Sequence, residues 1–388
     1  MNFEELKEKM KTIQNIILEF LEDESNAEEN YENFIKLVSQ YHIKEDKQEV
    51  KSILRLINAI GNNHQRNYNF ISKIEQLLGH FKEEIQKYLS NSEIFEVFKD
   101  NQRILLFLIS EKMMIIDEYI ASQITSNNYI NKYAKFFRTE IKSFLTEEFI
   151  LKNRKQNVTL WKKEFIDDIK KEITEDFYDK RKEGENDNYL CELIRNNEVK
   201  EFGVHVNRNN ISFDSHIDKS IFETNPLLNV SFSIKLIEYA SFYGSIDIIR
   251  YMRINGQVEL PSSTWIYAIH SRNAELIKYL EDNHVSPPAN DYEIILEESI
   301  KCHHNDVSKY IIDYLMKEEE FQNDIEKKYY NNVYRYAVEH HNYCYFPTNI
   351  KYKNMFFYLC EFDYYNLVKH YLMEETIDIN AKIKISII

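Results

Sequence analysis

The segment ASFYGSIDIIRYM (Ala240–Met252) aligns without gaps on AIHSRNAELIKYL (Ala268–Leu280) and on SIKCHHNDVSKYI (Ser299–Ile311). In each, a small residue (Ala240, Ala268, Ser299) precedes a short polar turn and an acidic residue (Asp247, Glu275, Asp306). An aliphatic (Ile248, Leu276, Val307), a tyrosine (Tyr251, Tyr279, Tyr310) and a further large aliphatic follow. The offsets of 28 and 31 residues are the length of one helix-turn-helix unit of a solenoid. A small residue lets two helices approach closely, and the later aliphatics fill the layer between neighbouring units, because one unit alone cannot bury both of its faces. Gly244 suits the turn between the two helices, and Gly256 suits a left-handed cap after the second. Pro261 and Pro287-Pro288 fall between units, where a missing N–H costs no helix bond.

Outward from this core, the first half reads as amphipathic helices without a single proline before Pro226. Phe3, Leu6, Met10, Ile13, Ile17 and Phe20 step by three and four along one helix face. Ser25 and Glu28 have capping-box spacing, which predicts a second helix through Tyr31, Phe34, Ile35 and Val38. Val50, Ile53, Leu54, Ile57 and Ile60 mark a third helix. The longest stripe, from Phe70 through Ile74, Leu77, Phe81, Ile85 and Tyr88 to Leu89, predicts one helix of about six turns. Shorter stripes follow at Ile94–Phe98, Ile104–Ile109, Met113–Ile124, Tyr129–Phe137 and Phe144–Ile150. Residues 151–188 alternate basic and acidic clusters and read as a charged connecting helix, with Gly184 its one helix breaker. Interspersed acids favour a solvated face over a nuclear localisation signal at Lys152–Lys155 or Lys180–Lys182.

Composition narrows the function. At 388 residues the chain exceeds one ordinary core, and six Gly with five Pro are too few for a many-turned sheet protein. A net charge of -15 opposes a phosphate backbone, so nucleic acid is not the expected partner. The longest apolar run, Ile104–Ile109, is far short of the roughly 20 residues that span a bilayer, so no membrane span is expected. Cys191, Cys302, Cys344 and Cys360 are scattered, and the start MNFEELKEKMK has no apolar signal core. A reduced, cytoplasmic chain is expected, with the nucleus left open, and the sequons at Asn157, Asn210 and Asn229 would stay unmodified.

The run YASFYGSIDIIRYMRINGQVEL (Tyr239–Leu260) resembles an ankyrin repeat, with Gly244, Asp247, Ile248, Ile249 and Gly256 at the spacing of the GHxEVVxLLLxxG segment. FDYYNLVKHYL followed by IDINA (Ile377–Ala381) is similar to the closing ADVNA of that repeat. The chain as a whole resembles a large group of protist proteins in which an uncharacterised leading domain precedes ankyrin repeats. The resemblance implies an all-α chain: a helical domain over 1–150, the connecting helix over 151–188 and a degenerate ankyrin-like helix-turn-helix solenoid over 189–381. The clearest units are 235–260, 263–290, 294–315 and 354–381, and residues 382–388 form an uncapped tail. The TPLH tetrapeptide is missing, with Ser263, Thr264, Trp265 and Ile266 in its place, and Tyr336–Phe346 supplies a single helix where a whole unit is due.

The resemblance implies a binding protein whose partner, a polypeptide, contacts the inter-unit loops and inner helices. Those positions are Tyr243, Ser262, Ser263, Ser271, Arg272, Ser286 and Asn290, with Tyr243 and Arg272 the anchors because Tyr, Trp and Arg dominate interface hot spots. Trp265 matches Ile237 one unit earlier and reads as core. Cys302, His303 and His304, with His340, His341 and Cys344, have metal-ligand chemistry but no zinc spacing, so neither metal nor cofactor is expected. No Walker loop, GxGxxG, HExxH, GxSxG, EF-hand or kinase signature occurs, and a non-catalytic scaffold is the first reading. Two alternatives stay open. The leading domain is an enzyme or regulatory domain, with a deep pocket of titratable groups in 1–150 and repeats that recruit its substrate; or the chain is a truncated paralogue with no independent activity, whose uncapped edge makes it unstable or drives self-association.

Overall fold

The computed structural model describes residues 3–66, 69–126, 130–146, 148–149, 169, 173–229, 233–316, 332–347 and 355–374. Among them every regular element is helical, and the one extended pairing is a single bridge between His216 and Lys235, so the chain is all-α. The first half runs α1 (Phe3–Glu22), α2 (Ala27–Gln40), α3 (Lys47–Asn63), α4 (Phe70–Gly79), α5 (Lys82–Tyr88), α6 (Asn91–Phe98), α7 (Gln102–Ser110), α8 (Glu118–Ser126), α9 (Ile130–Phe136) and α10 (Arg138–Ile141). The second runs α11 (Phe177–Glu183), α12 (Tyr189–Arg195), α13 (Val199–Arg208), α14 (Leu236–Phe242), α15 (Ile246–Gly256), α16 (Thr264–Ser271), α17 (Ala274–Asp282), α18 (Tyr292–Lys301), α19 (Asn305–Tyr310), α20 (332–339), α21 (Met355–Glu361) and α22 (Tyr365–Glu374). None of the described helices is long and apolar enough to cross a membrane. Of the charged connecting helix expected over 151–188, residues 151–168 and 170–172 lie outside the described residues, as do the IDINA motif and the tail 382–388, and the described remainder holds the short helix α11, which stops at Gly184 (φ 74).

Two compact units divide the chain, residues 1–53 with 320–388 and residues 54–319, so the division falls within α3 rather than at residue 150. In the first unit the stripe of α1 is wholly buried, from Phe3 to Phe20, and packs on α2, on the turn Tyr343–Tyr345 and on α22. Gln14, buried in that stripe, donates to Asn342 Oδ1 at 3.0 Å and accepts from the Tyr343 N–H at 2.7 Å. Lys9 pairs with Glu49 at 3.0 Å, and Lys51 with Asp363 at 3.2 Å. Leading and trailing segments thus build one unit, with α1 lying against the last described hairpin.

In the second unit a recurrent turn joins the helices. The first helix of each hairpin ends on a residue with left-handed backbone: Asn197 (φ 53), Gly244 (φ 67), Arg272 (φ 52) and His303 (φ 60). His341 and Asp363 repeat it in the first unit. At five of the six, all but Arg272, the following N–H returns to the carbonyl five positions back, as in Ser245 to Ala240 at 2.9 Å and His304 to Ser299 at 3.0 Å. First helices touch in chain order, α12 on α14, α14 on α16 and α16 on α18, and the second helix α13 meets α15. The aligned small residues Ala240, Ala268 and Ser299 are fully buried, which permits that approach.

Three expectations are corrected. Ser25 caps nothing: α2 starts after Asn26, which makes no side-chain cap, and Asp23 Oδ1 instead accepts the Ser25 and Asn26 N–H groups at 2.9 and 3.2 Å. The long stripe breaks after Gly79, where bonding tightens to Phe81 N–H on Leu78 O at 3.0 Å, so α4 and α5 are separate helices that each bury their share of the stripe. Gly256 does not take the left-handed cap, which falls to Gln257 (φ 50). A Cβ on Gly256 would meet the Phe213 side chain at 2.6–2.7 Å, so glycine is there for a close approach.

Candidate functional site

The seven loop positions separate into two kinds. Ser262 and Ser286 are exposed and line an open cleft of about 320 Å³ with Arg253, Glu259, Asn283 and His284, while Asn290 is exposed at the following turn. The others are engaged within the chain. Ser263 donates to Glu238 Oε1 at 2.5 Å, Ser271 donates to Ala268 O at 2.9 Å, and Arg272 pairs with Asp306 at 3.1 Å. Tyr243 is half-buried, and its hydroxyl donates to Glu185 Oε2 at 2.5 Å. The opposite carboxylate oxygen holds Arg66 at 3.0 Å, whose guanidinium also donates to Thr224 Oγ1 at 3.3 Å. Burial holds the Tyr243 phenol well above its ordinary range, so it stays a donor to Glu185. Trp265 is core as expected, 1% exposed, and its indole N–H donates to Val285 O at 2.6 Å.

A second constellation lies where α16 meets α18. Glu298 and Cys302 stand four residues apart on one face, the i,i+4 spacing that brings helical side chains together. His270, the penultimate residue of α16, faces them. Its Nδ1 lies 3.2 Å from Cys302 Sγ and 3.5 Å from Glu298 Oε1, and the thiol lies 3.4 Å from the same carboxylate oxygen. All three are buried, and His270 stacks on Phe242 at 4.3 Å between ring centroids. Glu298 Oε2 reaches the half-buried Lys301 at 3.2 Å.

Two further histidines enclose the group. A carbonyl only accepts, so His304 carries its proton on Nε2, which donates to His270 O at 3.1 Å. By the same reasoning His64 donates from Nδ1 to Cys302 O at 2.9 Å, and its ring lies 4.8 Å from that of His304. Burial depresses His270, against the pull of Glu298, and depresses His304 further, so both are neutral near pH 7. Burial tends to raise the Glu298 carboxyl, but Lys301 and His270 together bring it to about 2. Burial, reinforced by Glu298, pushes the Cys302 thiol well up.

Compared with family models, with curated proteins and with solved structures, this chain finds no match. Of the metal-ligating residues singled out in the sequence, Cys302 joins this group, whereas His340, His341 and Cys344 belong to the first unit and are not part of it. His270 and Glu298 escaped the sequence reading. The signal that could have found them is the pair Glu298/Cys302 at i,i+4, with a histidine one unit earlier at the end of the neighbouring first helix.

Proposed function

We propose that this chain is a non-catalytic protein-binding scaffold of the reducing cytoplasm, in which an ankyrin-like row of helical hairpins presents its inter-hairpin loops to a polypeptide partner. One observation carries this reading: three aligned segments form hairpins with the same left-handed turn, and their first helices touch in chain order. Such repetition sets successive loops side by side along the row, and scaffolds of this kind use such rows for extended recognition. The cleft at Arg253, Glu259, Ser262, Asn283, His284 and Ser286 lies between two consecutive hairpins and offers both charges with several hydrogen-bonding groups. Leu260 and Val285 complete the lining, and with six polar residues against these two it suits a polar peptide segment better than an apolar helix. Four free thiols, two of them buried, are in keeping with a reducing compartment.

The test is proximity labelling in the native cell with the full chain and with a Ser262→Lys, Ser286→Lys variant. Both serines are exposed, so the added charges leave the fold intact, which circular dichroism checks. Loss of a defined set of labelled proteins in the variant is expected. An unchanged set would remove the cleft from the proposal. Tyr243 is unsuitable for this purpose, because its substitution disturbs the partly buried Arg66–Glu185 pair.

A further inference from the structure

We infer that His270, Glu298 and Cys302 form a binding site for a borderline-soft divalent cation, Zn²⁺ foremost, which braces one helical hairpin to the next. Their donor atoms form a triangle with sides of 3.2, 3.4 and 3.5 Å. Zinc bound tetrahedrally at about 2.0–2.3 Å from N, O and S ligands sets neighbouring ligands roughly 3.3–3.6 Å apart. A triangle of those sides has a circumradius of about 1.9 Å, so a point slightly above its plane lies at bonding distance from all three atoms without side-chain movement. The donor set of one imidazole, one thiolate and one carboxylate matches zinc and its cobalt substitute better than the all-oxygen preference of Mg²⁺ or Ca²⁺. Three protein ligands leave a fourth position for water.

Placement gives the ion its role. His270 lies in the last turn of α16, whereas Glu298 and Cys302 belong to α18 and its turn, so the ion joins two consecutive hairpins. The surrounding contacts hold the donors in place: Phe242 stacks on the His270 ring, Lys301 holds the second oxygen of Glu298, and His64 holds the Cys302 carbonyl. Binding converts the thiol to thiolate, and one proton leaves to solvent as the metal–sulfur bond forms. The balance needs no oxidant or reductant.

The experiment uses the full chain, stripped with a chelator and titrated with Co²⁺ alone. One equivalent is expected to produce the visible bands of tetrahedral cobalt and a near-ultraviolet thiolate-to-cobalt band, both abolished by Zn²⁺, with about one proton released per ion. Cys302→Ser should remove the near-ultraviolet band, and Glu298→Gln should weaken binding by at least about tenfold. A variant carrying Cys191→Ala, Cys344→Ser and Cys360→Ser leaves Cys302 as the sole thiol and should keep the band. Should Cys302→Ser fail to fold, that single-thiol protein decides the matter. Absence of the band there, or its persistence in folded Cys302→Ser, overturns the proposal and leaves a hydrogen-bonded polar cluster.

Discussion

Gly244 and Arg272 occupy the same position in successive hairpins, and both hold a left-handed backbone, with φ of 67 and 52. For an L-residue that conformation costs roughly 1–2 kcal/mol, whereas glycine adopts it freely. A Cβ on Gly244 would also come within 3.0–3.2 Å of the Asn273 side chain, whose amide donates to Gly244 O at 3.0 Å. Gly244→Ala should therefore destabilise the second unit by about 2 kcal/mol. The converse holds at exposed turns: Lys112 and His284 have φ of 59 and 54, and their replacement by glycine should stabilise by about 0.5 kcal/mol each. Urea denaturation of the three variants measures all of this, and stabilisation by Gly244→Ala would refute the reading of the turn.

The hairpins were legible in the sequence because their turn and core positions recur in the same order at offsets of 28 and 31 residues, which marks Ala240, Ala268, Ser299 and Trp265 as interior positions. Single-position signals fared worse. Ser90 and Glu93 make a true capping box, while the identical spacing at Ser25 and Glu28 does not, because Asp23 already satisfies the backbone there. Periodicity could not locate the break after Gly79, since both short helices keep the apolar spacing across it. The pairing of Tyr243 with Glu185 and the triangle of His270, Glu298 and Cys302 were illegible for another reason. Each joins residues from different elements, and only packing brings them together.

The Arg66–Glu185–Tyr243 group is the partly buried ionic contact most open to mutation. Arg66 and Glu185 have side chains 4% and 19% exposed, so removal of the carboxylate leaves a guanidinium out of water without its paired counter-charge, with Glu223 the acidic neighbour that remains. Glu185→Gln should cost about 3 kcal/mol, and Tyr243→Phe, which deletes one hydrogen bond to a charged acceptor, about 1.5 kcal/mol. The double variant should cost less than the sum, because both substitutions break the same contact. Additive losses would show that Tyr243 and Glu185 act independently.

Burial sorts the four thiols. Cys360 is exposed and Cys344 partly so, with its sulfur donating to Asn15 Oδ1 at 3.6 Å, whereas Cys191 and Cys302 are 1% and 0% exposed. Burial also pushes the Cys191 thiol up to about 12, so at pH 8 it holds almost no thiolate to react. An aromatic disulfide reagent should label Cys360 rapidly, Cys344 slowly, and Cys191 and Cys302 only when the chain unfolds. Peptide mapping at timed quenches reads the order. Rapid labelling of Cys191 in the native chain would contradict the packing of α12.

Gly256 and Gly203 test whether a glycine serves backbone freedom or close approach. Neither has a left-handed backbone, and a Cβ on either would fall about 2.6 Å from an aromatic side chain. The neighbours differ in how far they can yield. Gly203 faces the hydroxyl end of Tyr251, the far end of a flexible side chain, whereas Gly256 faces the Cβ and ring of Phe213, which also packs on Phe202 and Tyr251. Gly256→Ala should therefore cost about 2 kcal/mol through overpacking, and Gly203→Ala clearly less. Phe213→Ala should relieve only part of that loss, because its Cβ still stands 2.7 Å from the new methyl, whereas Phe213→Gly should remove most of it, a coupling that double-mutant cycles measure. If Gly256 acted as a cap instead, its loss would be insensitive to Phe213.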